Sequence, residues 1–422
     1  MDFEYSPKVQ ELRRRLLDFM DRYVLPYNAE WHRCVGEGAY PPPFLADMKA
    51  LARDEGLWNL FLPGLPDDAP GTRLTNLEYA PLAEIMGRIP WSPEVFNCSA
   101  PDTGNMELLQ LFATPEQYER WQKPLLAGEI RSAFAMSEPD VASSDPTNLQ
   151  TLVRRDGDDY VINGRKWFIT GAAHPDCRLL IVMGRSGDGD TKHGNHSMIL
   201  VPMETPGVTL VRNIPIMQHE TPEGHCELLF RDVRVPVANL LGQEGQGFAM
   251  AQARLGPGRI HHCMRTIGQC ELALEMMCDR ALERRAFGRY LADQANVQEW
   301  IADTRLEIDQ ARLLVLRAAA TLDRLGNKAG RVDVSAIKIV AARLQTRVVD
   351  RAMQVFGAMG LSPDTPLAYL WTWGRAMHFL DGPDEVHLRT VARAELDRAR
   401  ESPGRSLPYF TLPEQLRGPR RR

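Results

Sequence analysis

The spacing of apolar residues changes character twice along this chain, from a helical period to a strand period and back. An all-helical or all-β architecture cannot accommodate that switch. Val9, Leu12, Leu16, Leu17 and Met20 recur three and four residues apart, and Phe44, Leu45, Met48, Leu51 and Ala52 do so again after the breaker Pro41-Pro42-Pro43. The stretches 79–86 and 116–126 repeat the pattern. From about 131 to 242 the runs shorten to 151–155, 160–162, 179–182 and 198–201, rich in β-branched and apolar residues and punctuated by Asp156-Gly157, Asn163-Gly164 and the loop 184–196. Long helical stripes then return in Val297, Ile301, Thr304, Ile308, Ala311 and Val315, and in Ile337, Val340, Leu344, Val348 and Val355, the second opened by Asp333 as a helix cap. The class is therefore α+β: an N-terminal α-helical domain (1–130), a central antiparallel β-domain or small barrel (131–242), a C-terminal helical bundle (243–400) and a tail (401–422).

Composition narrows the partners. A chain of 422 residues with 44% hydrophobic and 25% charged residues has the balance of an ordinary soluble protein with a large core. Its net charge of −5 gives no general attraction to nucleic acid or to an anionic membrane, and the basic run at 417–422 reads as a solvated end. Met1-Asp2-Phe3-Glu4-Tyr5 is no export leader, and no later stretch is apolar enough to span a bilayer, so membrane insertion is not expected. Seven cysteines without a Cys-x-x-Cys pair suit a reducing cytoplasm. Adjacent residues on a helix point apart, so His261-His262-Cys263 makes no metal site.

One segment points to chemistry. His378-Phe379-Leu380-Asp381-Gly382-Pro383-Asp384-Glu385-Val386-His387 places three carboxylates in five residues around Gly-Pro. Pro383 suits the first position of a helix and Gly382 the residue before it, so Asp384 and Glu385 fall in the first turn, where negative charge is favoured. Asp381 stays outside the helix. Held behind Phe379-Leu380, it is expected to be partly desolvated, with a pKa raised towards that of a general base. The alternative is that all three acids only start a helix.

The motifs along the chain resemble those of the acyl-CoA dehydrogenase family. The segment from Phe134 to Asp145 (Phe-Ala-Met-Ser-Glu-Pro-Asp-Val-Ala-Ser-Ser-Asp) is similar to its Thr-Glu-Pro-x-x-Gly-Ser-Asp signature, and Lys166-Trp-Phe-Ile-Thr-Gly171 to its Trp-Ile-Thr strand. Glu283-Arg-Arg-Ala-Phe-Gly288, with Gln294 and Gln298, is similar to the Arg-x-x-Phe-Gly segment. The run from Gln354 to Gly360 matches Gln-x-x-Gly-Gly-x-Gly with Ala358 in place of one glycine, and Leu380-Asp-Gly382 stands where the family has Tyr-Glu-Gly.

The resemblance implies a four-helix bundle as the last domain and FAD as the cofactor. It implies that Phe134, Met136 and Ser137 line the flavin edge, Phe168 stacks on the ring, Thr170 bonds near N5 and Ser143 approaches the pyrophosphate. Arg285, Phe287, Gln354 and Gly357 would hold the diphosphate and adenosine of a FAD in the neighbouring subunit of a homodimer or homotetramer. Pro383 and Glu385 are counted with the cofactor residues. Asp381 would remove the α-proton of an acyl-CoA thioester as hydride moves to flavin N5, beside Arg259. The thioester carbonyl would be bonded by the Asp381 N–H and the flavin ribitol, and electrons would pass to electron-transferring flavoprotein.

Two departures stand out. Asp381 is one methylene shorter than the usual Glu, and the alternative family position near Gly258-Arg259 carries no acid. The variant resembles a subgroup acting on long, sometimes hydroxylated, acyl chains, some of whose members carry a fused kinase-like domain; none is expected here. A nitroalkane-oxidase-like flavoenzyme, whose relatives also use Asp, and a flavin-bearing nucleic-acid-associated protein of this fold are the competing functions. The acidic balance disfavours the latter.

Overall fold

The computed structural model describes residues 4–187 and 194–410. The basic end at 417–422 and part of the 184–196 loop lie outside the described residues.

Helix α1 (Pro7–Phe19) starts at Ser6, whose hydroxyl accepts the Val9 N–H, and it buries Val9, Leu12, Leu16 and Phe19. It is followed by α2 (Asn28–Gly36), α3 (Leu45–Asp54), α4 (Asn76–Gly87), α5 (Asp102–Phe112), α6 (Pro115–Gln117) and α7 (Lys123–Ala127). Thr75 and Glu78 close a reciprocal capping box at the start of α4.

The strands are β1 (Arg131–Ala135), β2 (Leu152–Asp156), β3 (Asp159–Thr170), β4 (Cys177–Arg185), β5 (His196–Pro202), β6 (Val208–Asn213), β7 (His225–Pro236) and β8 (Leu240–Leu241). They form one sheet in the order β6-β7-β3-β2-β4-β5-β8, with β1 added beside β4. Most pairings are antiparallel; β1 with β4, and β2 with β4 at Leu152, run parallel. Asp156-Gly157 turns the β2–β3 hairpin, but Asn163-Gly164, expected as a second turn, lies inside β3 at a register shift. Glycine is needed there because a Cβ at Gly164 would overlap Thr151. The unbroken apolar run 179–182 is explained by burial on both sides. Leu179, Ile181 and Met183 join the helical core, whereas Leu180 and Val182 pack with Val153, Ile162, Ile199, Leu228 and Phe230 in a separate cluster of the sheet domain.

The chain continues in α8 (Gly247–Glu283), a small hairpin of β9 (Arg285–Ala286) and β10 (Arg289–Tyr290), α9 (Ala295–Phe356), α10 (Leu367–Met377) and α11 (Asp384–Glu401). Within α9 the helix breaks at Gly326, whose φ of 75° and ψ of 176° are non-helical. The break, and not Asp333, divides the two stripes; Asp333 lies inside the second half and accepts from Arg317 at 2.9 Å. Helices α4 and α8 cross almost in backbone contact. A Cβ at Gly87 would overlap the Arg265 backbone, and one at Gly268 the Glu84 carbonyl, so this crossing sets how α8 is rotated about its axis. Among the described residues no helix is long and apolar enough to cross a membrane.

Candidate active site

The turn between α10 and α11 is fixed from several directions. Pro383 is the cap of α11 and not its first residue, one position off the expected register, and Asp384 and Glu385 occupy the first turn. Asp381 has φ 52° and Gly382 φ 101°. Asp tolerates this left-handed region better than most side chains, and a Cβ at Gly382 would stand 3.0 Å from His387 Nε2. The Asp381 carbonyl accepts from Arg259 Nε at 3.0 Å and Nη2 at 2.8 Å, with His387 Nε2 at 3.2 Å. His387 Nδ1 is in turn 3.2 Å from Ser335 Oγ, and Lys338 Nζ donates to the Met377 carbonyl at the end of α10. Asp384 is engaged with His378 Nδ1 at 2.7 Å, and Glu385 is exposed. The helix-start explanation thus covers Asp384 and Glu385 and leaves Asp381 unaccounted for.

The carboxylate of Asp381 is 20% exposed and lies 3.5 Å from His262 Nε2. Burial raises its pKa, but His262, Arg259, Arg254 and Lys338 outweigh that and hold it below the ordinary value. The expectation of a raised pKa is therefore reversed: the apolar neighbours in sequence are outweighed by polar and charged groups brought in from α8 and α9. Burial and the nearby Arg265 push His262 down to about 3, so its ring is neutral at pH 7. The backbone N–H of Asp381 has no acceptor among the described residues.

Arg254 links this turn to the sheet. Its guanidinium lies 4.2 Å from the centre of the Phe134 ring and bonds Asn105 Oδ1 at 3.0 Å, and its charge acts on Asp381. Phe134 is the last but one residue of β1, and the residues after the strand are anchored on β3: Met136 O accepts from Lys166 Nζ at 2.8 Å and Ser137 O from Trp167 N at 3.0 Å. Phe168 sits at a register shift of β3 with φ 51° and is 44% exposed, which is not how a strand-core phenylalanine behaves. Two residues on, Thr170 Oγ1 lies 2.9 Å from His225 Nδ1. The Ser143 hydroxyl accepts from Glu138 N at 2.8 Å and closes its own turn.

An exposed aromatic face at Phe168 and a hydroxyl two residues on at Thr170 fit an isoalloxazine ring. The other predicted cofactor residues form a second set. Arg285 stacks 4.4 Å from the Tyr290 ring and has no carboxylate partner among the described residues, Phe287 is fully exposed at φ 52°, Gln354 is exposed, and a Cβ at Gly357 would meet open space. Exposed donors and apolar surface of this kind fit a diphosphate and an adenine. Among the described residues no hydrogen bond, ion pair or ring contact joins this set to the first.

Sequence reasoning gave no role to Arg254, His262, Lys338, His387 or Glu107. Arg259 and His262 are three residues apart on one face of α8, which was a usable signal once Asp381 was singled out; Arg254, five residues before Arg259, is off that spacing. Glu107 gave none: it is 6% exposed on α5, and burial pushes its carboxyl up to about 8 against the opposing charge of Arg254.

Comparison with known proteins gives the family. The chain matches the acyl-CoA dehydrogenase N-terminal domain over residues 6–129, the middle domain over 133–233 and the C-terminal domain over 245–396. It is 54% identical over 410 residues to a Mycobacterium tuberculosis protein named "Probable acyl-CoA dehydrogenase FadE2", covering 95% of this chain and 98% of that one. It is 48% identical to the Gallus gallus acyl-CoA dehydrogenase family member 11, covering 93% of this chain but 51% of that one. Butyryl-CoA dehydrogenase from Megasphaera elsdenii superposes with a TM-score of 0.79 at 27% identity, covering 94% of this chain and all of that one. The three matched domains, laid over the helical, sheet and helical parts just described, show that the chain belongs to the acyl-CoA dehydrogenase family.

Proposed function

We propose that this oxidoreductase of a FAD-dependent family catalyses α,β-dehydrogenation of an acyl-CoA thioester to the trans-2-enoyl-CoA, with Asp381 as the base. The observation that carries the reading is the Asp381 turn. Three side-chain nitrogens surround its carbonyl, its N–H has no acceptor among the described residues, and its carboxylate is kept ionised beside the Arg254–Phe134 contact. Phe134, Met136, Ser137, Phe168 and Thr170 would hold FAD, which would supply the acceptor for the β-hydrogen and its electron pair.

The chain's own residues do the rest. Asp381 takes the α-proton onto a carboxylate oxygen, and its backbone N–H donates to the thioester oxygen as enolate charge develops. Arg259, bonded to the Asp381 carbonyl, holds both groups in register. Arg285, Phe287, Gln354 and Gly357 reach the cofactor of a second copy, so the working unit is a homodimer or homotetramer. Electrons leave to electron-transferring flavoprotein. Seven unpaired cysteines suit a reducing cytoplasm.

Asp381→Asn keeps the shape of the turn and removes the proton acceptor. With acyl-CoAs of graded length under anaerobic conditions, flavin bleaching should slow by ~10²–10⁴ while FAD content is unchanged. A variant that bleaches at the wild-type rate overturns the assignment, and bleaching by nitroalkanes but by no acyl-CoA overturns the substrate class.

A further inference from the structure

The imidazole of His262 stands between a group that can only donate and a group that, when ionised, can only accept. Its Nδ1 lies 3.0 Å from Arg265 Nη2, and its Nε2 3.5 Å from Asp381 Oδ2. A guanidinium has no acceptor, so Nδ1 must present its lone pair to Arg265. The single proton of a neutral ring is then on Nε2, facing Asp381. Arg265 is itself held where α8 presses on α4: its backbone is what a Cβ at Gly87 would strike, and its guanidinium is buried with Nη1 unpartnered among the described residues.

Resting on the assignment of Asp381 as base, we infer that His262 is a positioning residue, whose Nε2–H, its tautomer dictated by Arg265, grips one oxygen of the Asp381 carboxylate and leaves the other for the substrate. Asp381 needs such a grip because its carbonyl is pinned while its carboxylate has no hydrogen bond shorter than the 3.5 Å approach of His262 Nε2 among the described residues. Gripping one oxygen leaves the carboxylate a single way to meet an α-proton, and a reacting group mis-set by an ångström loses rate steeply. A donor to the ionised form also lowers its pKa. The other groups acting on this carboxylate are Arg254, Arg259, Cys263 and Arg265 from α8, Lys338 from α9, and His387 from α11; their charges are present in wild type and variants alike.

The probe is 3-thia-octanoyl-CoA, in which sulfur replaces the β-carbon so that only α-proton removal can occur. Exchange of the α-position is followed in D2O across pH with the FAD-loaded protein. His262→Phe keeps an aromatic ring and removes the donor; the acid limb of the profile should move up by about one pH unit and the plateau should fall roughly tenfold. His262→Gln offers an amide N–H to Asp381 and a carbonyl to Arg265, and should restore most of both. Should phenylalanine not be accommodated, as judged by FAD retention and circular dichroism, His262→Met removes the same donor. A His262→Phe profile superimposable on wild type overturns the inference, as does His262→Gln behaving like His262→Phe. Failure of the base assignment reads differently: Asp381→Asn would then still exchange.

Discussion

Glu107 lies on the face of α5 turned towards Arg254 and Tyr79, 6% exposed, with neither carboxyl oxygen hydrogen-bonded among the described residues. Burial pushes its pKa from 4.5 up to about 8, so the folded chain holds a neutral acid at pH 7 where the unfolded chain holds a carboxylate. A raised folded-state pKa contributes stability that is fully present below 4.5 and is lost as pH rises towards about 8, because the unfolded state binds fewer protons throughout that window. At about 1.4 kcal/mol per pH unit, the whole shift is worth up to about 5 kcal/mol, and about 2.5 kcal/mol of it is lost between pH 6 and pH 8. Glu107→Gln preserves the shape and removes the titration. An unfolding entropy of about 2.1 cal/mol/K per residue makes 2.5 kcal/mol worth about 3 °C in Tm for a chain of 422 residues. Calorimetric scans of the FAD-loaded wild type and variant, at one scan rate at each pH, cancel every other titrating group. The variant's Tm should gain about 3 °C on wild type between pH 6 and pH 8. Curves that stay parallel within about 1 °C, or a variant that loses ground as pH rises, refute the buried neutral acid.

The helix–sheet–helix order was legible because hydrophobic period is local, and the stripes at Val9–Met20 and Val297–Val315 report a helix whatever they pack against. Asn163-Gly164 misled for a reason that is not local. Its glycine answers a close approach by Thr151, the residue just before β2, and from one strand alone such a glycine reads as a turn. Gly326 and Asp333 were confused in the same way, since a cap-type residue seven positions on is a better sequence signal than a glycine in a polar stretch. At the site, the turn around Asp381 stood out because three acids and Gly-Pro are adjacent in sequence, yet the sign of its pKa shift was unreadable. That sign is set by Arg254, Arg259, His262 and Lys338, which sequence separates from it by more than forty residues and folding brings together. Glu107 was invisible, because one acid in a helical pattern looks solvated until its neighbours are known.

Three further perturbations separate the parts of the reading. Gly87→Ala should destabilise by at least about 1–3 kcal/mol in thermal or denaturant unfolding, since the methyl group would meet the Arg265 backbone and not a yielding side chain; an unchanged Tm contradicts the tight α4–α8 crossing. If a second copy's cofactor binds at the hairpin, Arg285→Ala should weaken FAD retention and the oligomer together, read by flavin content across a size-exclusion dilution series, and a monomer with full FAD is the contrary result. Asp384→Asn tests what the neighbouring acid does. Its carboxylate is 2.7 Å from His378 Nδ1 at the start of α11, so the change should cost about 1–3 kcal/mol of stability through that contact and the helix terminus. It leaves the Asp381 carboxylate and its donors in place, so flavin bleaching per bound FAD should stay within about threefold of wild type. If instead Asp384→Asn abolishes bleaching while the fold and FAD survive, then proton removal belongs to Asp384 and the division of labour in this turn is the reverse of the one argued from its geometry.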